Sequence, residues 1–303
     1  MATVLPPTQF PGGTAPAAAG AAGQAGGAAG APVIVLTYKH GGAGLLWSLL
    51  TGHPGLACTA GTGVLPLCEQ AAATWRAVDG GTGTRMSPLA ASSIRSMTTA
   101  VIATVLARDG GRRWCEFATA APRSAETFLQ LYPQARVLCL YRSCTGFIQD
   151  AVGASPWGLA GPQYAPFTAA YPASTPAALT AYWTASTAPL TEFEEAHPDA
   201  SMRVRCEDLT DGTCPGGLLA FLGIEAPRPG DRGPDAPSRD SPPPGPAHPA
   251  PFPADQVPAP LLAQAGRLTR KLGYPPLTPD GGAWNGDGHQ LLHESGNHLD
   301  DQR

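Results

Sequence analysis

The chain of 303 residues carries 37 glycines and 34 prolines, where average usage would give roughly 12% for the two together, so part of it is expected not to pack. Only 14% of the residues are charged and the formal charge is -4, which argues against a nucleic-acid coat or a basic membrane-surface protein. At about 150 residues per domain the length allows one or two domains, and with unpacked ends set aside one is expected.

Residues 1–31 form the first compositional block: from Pro11 to Ala31, 17 of 21 residues are alanine or glycine. With no apolar periodicity and little side-chain area to offset ordering entropy, this leader reads as disordered. It has no basic segment leading into an apolar core, so no secretory signal is expected. No run approaches the roughly 18 apolar residues of a membrane span, and no membrane association is expected. Next, Val33–Leu36 reads as a buried strand and Gly44–Leu50 as a helix, followed by a helical pattern over Pro88–Arg108. Strand Trp114–Phe117, helix Ser124–Tyr132, strand Val137–Tyr141, helix Thr175–His197, strand Met202–Cys206 and helix Pro215–Leu222 complete the block. Short apolar runs alternating with helices imply parallel strands joined by crossovers. The fold class expected for residues 32–226 is therefore α/β, a three-layer sandwich around a mainly parallel sheet. From residue 227 to 260 there are 13 prolines in 34 residues, so 227–258 reads as an extended linker. A last unit, 259–279, carries a helix over Ala259–Leu272 that is expected to dock on the core. The polar tail 280–303 holds His289, His293 and His298 without ligand spacing, and no metal site is expected. Seven scattered cysteines with no Cys-x-x-Cys pair read as free thiols of a reduced, cytoplasmic protein.

The sharpest local feature lies between the first strand and its helix: Thr37-Tyr38-Lys39-His40-Gly41-Gly42-Ala43-Gly44. Three glycines in four positions let backbone N–H groups converge, and the helix behind them presents its positive N-terminus, which together make an anion cradle. Only two of the chain's 19 basic residues are lysines, Lys39 and Lys271, and one of them stands here. The Walker pattern fails because Leu45 and Leu46 follow Gly44, which disfavours an ATPase or ordinary kinase. The dinucleotide pattern G-x-G-x-x-G meets Trp47 where its third glycine belongs. A plain tight turn is the structural alternative.

At this point the chain resembles the sulfotransferases that use 3'-phosphoadenosine-5'-phosphosulfate (PAPS), whose first loop, of the type T-Y-P-K-S-G-T-T-W, holds the 5'-phosphosulfate. The following Leu49-Leu50-Thr51-Gly52-His53-Pro54 is similar to the L-L-x-x-H-P of bacterial members. Ala135-Arg136-Val137-Leu138-Cys139-Leu140-Tyr141-Arg142 resembles the family's A-R-F-V-x-L-x-R, whose last arginine grips the nucleotide's 3'-phosphate. Arg203-Val204-Arg205-Cys206-Glu207-Asp208-Leu209 resembles V-R-Y-E-D-L, Leu218–Gly223 matches L-x-x-F-L-G, and Leu272-Gly273-Tyr274-Pro275 looks like the closing L-G-Y-P of bacterial members. The resemblance spans roughly residues 32–224 in the family's order.

What it implies is a cytoplasmic bacterial transferase of specialised metabolism, with PAPS as co-substrate, no metal, and a hydroxyl of a small metabolite as acceptor. Lys39 and His40, with the amides of Gly41, Gly42, Ala43 and Gly44, would hold the 5'-phosphosulfate, and either side chain is a candidate catalytic cation. Arg142 would take the 3'-phosphate; its alternative is an ion pair with Glu207 or Asp208. Departures accompany the likeness: the loop lacks the family's hydroxyls. Asp150 replaces the serine that usually follows the arginine by eight residues, leaving Ser143 or Thr145 to supply that hydroxyl. Glu116, then His40 and Glu69, are candidate general bases, Glu116's alternative being a pairing with Arg112 or Arg113. Trp157, Tyr164 and Phe167, in the glycine- and proline-rich stretch from 153 to 172, suit a lid over the acceptor, as Gly61-Thr62-Gly63 suits its lining. Two rivals stand beside the enzyme: a sulfotransferase-like binding protein that no longer transfers sulfate, and another nucleotide-dependent transferase or kinase.

Overall fold

The computed structural model describes residues 30–78, 86–107, 112–119, 122–154, 159, 161–209, 217–225 and 252–277. The expectations for the leader up to residue 29, for Trp157, for most of the proline-rich linker and for the histidine tail lie outside these residues.

Five strands form the sheet: β1 (Val33–Leu36), β2 (Leu56–Ala60), β3 (Arg113–Ala118), β4 (Arg136–Tyr141) and β5 (Ser201–Arg205). Every pairing is parallel, and the order is β2-β3-β1-β4-β5. This is the parallel α/β sandwich that the apolar runs imply. Strand β1 is central and buried along its whole length, because Val33 and Val35 face one layer while Ile34 and Leu36 face the other. Its neighbours diverge in sequence, β3 at Val33↔Cys115 and β4 at Val33↔Arg136. The chain thus reverses its strand order at the C-terminal end of β1, the place where open parallel sheets form a ligand crevice.

One face of the sheet is covered by α1 (Ala43–Thr51) and the short α8 (Leu218–Leu222), through Leu46, Leu50, Leu218 and Leu222. The other face carries α2 (Val64–Val78), α3 (Pro88–Leu106), α4 (Pro122–Leu131), α5 (Cys144–Gly153), α6 (Ala165–Ala170), α7 (Thr175–Ala196) and α9 (Ala259–Lys271). In α7, the buried Trp183, Leu190 and Phe193 share this layer with Phe128 and Phe147. Ser174 Oγ caps α7 by accepting the Ala177 N–H at 3.1 Å, satisfying one of the amides a helix start leaves open.

Several elements depart from the sequence expectation. Strand β2 and helix α2 fall where the sequence reading assigns no element, and residues 165–170 form α6 inside the stretch expected to be irregular. The linker expectation fails at its end: Phe252, Ala254 and Val257 are buried in the large core layer around a 3-10 turn at Ala254–Gln256. Helix α3 is long and apolar enough to cross a membrane by length and composition, although Arg95 and its serines and threonines interrupt any purely apolar run. It packs on the core through Ala90, Ile94 and Thr98, while Arg95 Nε donates to the Leu131 carbonyl at 2.8 Å.

Candidate functional site

The loop from Lys39 to Gly42 leaves β1 at the switch point and enters α1 directly. Its shape depends on two left-handed residues, His40 with φ of 60° and Gly42 with φ of 89°. A side chain at Gly42 is excluded twice, by that dihedral and by Cys206, whose Cβ would lie 2.7 Å from an added Cβ. At Gly41 an added Cβ would meet Thr37 Oγ1 at 2.6 Å and the Tyr38 carbonyl at 2.9 Å. The Gly41 N–H turns back onto the Tyr38 carbonyl at 2.9 Å, so the expected convergence of amides begins one residue later, at Gly42. The first amides of α1, at Ala43 and Gly44, have no acceptor within the helix, and the space beside Gly44 is open. This is the geometry of an anion site at a helix N-terminus.

Two side chains crown the loop. Lys39 is exposed and makes no ion pair among the described residues, while its backbone N–H donates to Tyr182 Oη at 3.3 Å, pinning the loop to α7. His40 is half-buried, its ring stacked at 6.4 Å on Tyr164 and 6.4 Å from Phe147. Its Nε2 is buried with no hydrogen-bond partner among the described residues. Burial, then the positive charge of Lys39, hold its pKa below the ordinary imidazole value, favouring the neutral ring that can accept a proton. Phe147 stacks on Tyr182 at 5.6 Å, and Phe167 meets the same ring edge-on at 5.5 Å. Tyr164 and Phe167 therefore belong to a packed aromatic wall beside His40.

Arg142 leaves β4 immediately beside this loop. Tyr38 Oη accepts the Arg142 N–H at 3.1 Å, and Trp183 Nε1 donates to the Arg142 carbonyl at 2.9 Å, so the backbone of Arg142 is clamped between β1 and α7. Its guanidinium is ion-paired to Asp150, one helical stretch onward in α5. The alternative read for it is an ion pair with Glu207 or Asp208, and Asp208 pairs instead with Arg205 at 2.6 Å. Glu207 accepts the Ser143 N–H at 2.9 Å and the Tyr274 hydroxyl at 2.8 Å. Ser143 Oγ accepts the Gly146 N–H at 3.1 Å as the cap of α5.

The other candidate bases are placed differently. Glu116 is 2% exposed. Thr59 Oγ1 donates to one of its oxygens at 2.5 Å and the Thr62 N–H to the other at 2.9 Å, so it braces the Gly61-Thr62-Gly63 turn at the end of β2. Trp114 Nε1 donates to Thr59 Oγ1 at 2.8 Å, extending that network into the core. Arg113, expected as a partner for Glu116, donates instead to the Ala31 and Leu222 carbonyls. Glu69 accepts from Ser124 Oγ and lies 3.7 Å from Arg123, tying α2 to α4. His53 is structural: Nδ1 accepts the Gly55 N–H at 3.1 Å, which leaves Nε2 to donate to the Glu225 carbonyl at 2.7 Å. Tyr182 and Trp183, which help hold the two halves of the site in place, were not singled out in the sequence, because aromatic residues within a helix read simply as core; Tyr38 stood only as part of the loop and Glu207 only as an alternative partner for Arg142.

No protein-family model and no curated protein sequence matches the chain. Solved structures do share its fold. The sulfotransferase domain of an olefin synthase from Synechococcus PCC 7002 aligns over 80% of this chain and 94% of its own, at 17% identity and a TM-score of 0.50. The sulfotransferase domain from the curacin biosynthetic pathway aligns over 82% of this chain and 98% of its own, at 18% identity and a TM-score of 0.52. The chain therefore has the α/β fold on which those sulfotransferase domains are built.

Proposed function

We propose that the protein is a sulfotransferase that moves the sulfuryl group of PAPS to a hydroxyl of a small metabolite. The observation that carries the reading is the β1–α1 loop at the switch point of a sulfotransferase-type sheet, with open α1 amides and, among the described residues, an unpaired Lys39 and an unpartnered His40 Nε2. Sulfuryl transfer, like phosphoryl transfer, is an in-line displacement in which charge grows on the leaving oxygen, and protein catalysis consists of positioning and neutralising. In this reading Lys39 and the amides of Gly42, Ala43 and Gly44 neutralise the 5'-phosphate. The acceptor oxygen bonds to sulfur as the bond from sulfur to the 5'-phosphate oxygen breaks. The acceptor's proton passes to His40 Nε2, and adenosine 3',5'-bisphosphate leaves. Glu116, with both oxygens engaged, acts by holding the β2–α2 turn, and Arg142 faces the ribose end of the donor.

A second reading, a binding protein on the same fold, is favoured by one observation: Arg142 is already neutralised by Asp150. Incubation with PAPS labelled in its sulfuryl group and a panel of alcohols and phenols separates the two. A labelled sulfate ester with release of adenosine 3',5'-bisphosphate is expected. Nucleotide binding without transfer to any acceptor supports the binding protein, and absence of nucleotide binding overturns both.

A further inference from the structure

The two anion-facing ends of the crevice differ in charge. At the β1–α1 loop Lys39 has no acid paired with it among the described residues, and the α1 amides are open. At the β4–α5 exit the cation Arg142 faces two carboxylates. Asp150 is ion-paired with its Nη1. Glu207 Oε1 and Arg142 Nε both border Gly146, at 3.6 and 3.2 Å from the position of an added Cβ. Glu207 is fastened by the Ser143 N–H and the Tyr274 hydroxyl, so it stays in place. The absence of a side chain at Gly146 is what lets the guanidinium lie along α5 within reach of Asp150.

We infer that Asp150 is a specificity-determining residue for the nucleotide: its carboxylate competes with a ribose 3'-phosphate for Arg142, so the 3'-phosphate adds little affinity over a free 3'-hydroxyl. The inference rests on the reading that the β1–α1 loop takes the 5'-phosphosulfate. Asp150 Oδ2 occupies Nη1 of Arg142, and an arginine fork takes carboxylate and phosphate alike. A 3'-phosphate must therefore share the guanidinium with Asp150 or displace it, and in either case it meets the carboxylates of Asp150 and Glu207 as like charges. A ribose hydroxyl meets no such conflict, since it donates a hydrogen bond to a carboxylate. Dinucleotide sites draw the same distinction, an acidic residue taking a ribose hydroxyl and an arginine taking a phosphate.

The test is calorimetric titration of AMP and of adenosine 3',5'-bisphosphate into the full chain, the Asp150→Asn variant and the Asp150→Ser variant. Asp150 has a half-exposed side chain on the surface of α5, and two variants guard against a fold defect in either. The natural chain is expected to prefer the bisphosphate over AMP by less than about tenfold, which is 1.4 kcal/mol. Each variant is expected to raise that preference by about tenfold or more. A preference of about a hundredfold or more in the natural chain, or an unchanged preference in both variants, overturns the inference while leaving the proposed function standing. Failure of all three proteins to bind either nucleotide overturns the proposed function itself, and the inference with it.

Discussion

The β1–α1 loop and the β4–α5 exit lie side by side, joined by the Tyr38–Arg142 hydrogen bonds, yet they are prepared for ligands in opposite ways. In the first, left-handed backbone at His40 and Gly42 holds a cation and a helix N-terminus open. In the second, Arg142, Ser143 and the start of α5 are all satisfied from within the chain, by Asp150, by the α5 cap and by Glu207. Charge available for a ligand is therefore not read from the count of basic residues near a crevice. It is read from which of them already have a partner. On the proposed reading the binding energy and the chemistry lie at the loop, and the exit discriminates between nucleotides.

The largest expected effects are at the loop. Replacing His40 by alanine removes the base and should lower turnover by about 10²-fold or more, measured as sulfate ester formed from labelled PAPS. Lys39→Ala should cost a similar factor, about 10²-fold, by removing charge from the leaving group. If instead Arg142→Ala is the more damaging substitution for turnover, the contrast between the two regions is reversed. Next in size, Gly42→Ala places a Cβ against Cys206 in a left-handed backbone, and should destabilise the fold by about 2 kcal/mol, read by denaturant unfolding.

Smaller effects sharpen the assignment. Glu116→Gln should cost about 1 kcal/mol of stability, because one of its two bonds within the β2–α2 turn is weakened, while turnover changes by less than about tenfold. A loss of about 10²-fold or more with unchanged stability would move the base from His40 to Glu116. The smallest effect is in pH. His40 has a folded pKa below the unfolded imidazole value, so the unfolded chain binds more protons between the two. Stability should be flat above the unfolded value of about 6.5 and fall as pH drops through it, levelling below the folded pKa. His40→Ala should remove this contribution, and comparison of the two unfolding profiles measures it.

Most of the sheet is legible in the sequence because β1, β3 and β4 are built on runs of Val, Ile, Leu, Cys and aromatic residues at the length of buried strands, while β5, Ser-Met-Arg-Val-Arg, shows only Met202 and Val204 between its polar residues. Strand β2 is not, since Leu-Ala-Cys-Thr-Ala at the sheet edge carries too little β-branched or large apolar side chain to stand out. Helix α2 is hidden by Pro66 in its first turn, a position where proline does not break a helix. Helix α5 is hidden by Gly146, which the close approach of Arg142 requires. The loop itself is legible from glycine density and a rare lysine. The partners of Arg142 and Glu116 are not, because a carboxylate eight residues along the chain, or two threonines more than fifty residues away, is chosen by tertiary packing rather than local spacing.

The central claim is that the β1–α1 loop, with Lys39, is where the nucleotide's phosphate end binds. Calorimetric titration of adenosine 3',5'-bisphosphate into the natural chain, Lys39→Ala and Lys271→Ala tests it with a matched control, since the second lysine pairs with Glu195, joining the C-terminal ends of α7 and α9. One saturable site is expected, weakened by about tenfold or more in Lys39→Ala and unchanged in Lys271→Ala. Absence of binding, or equal affinity in all three proteins, would contradict it.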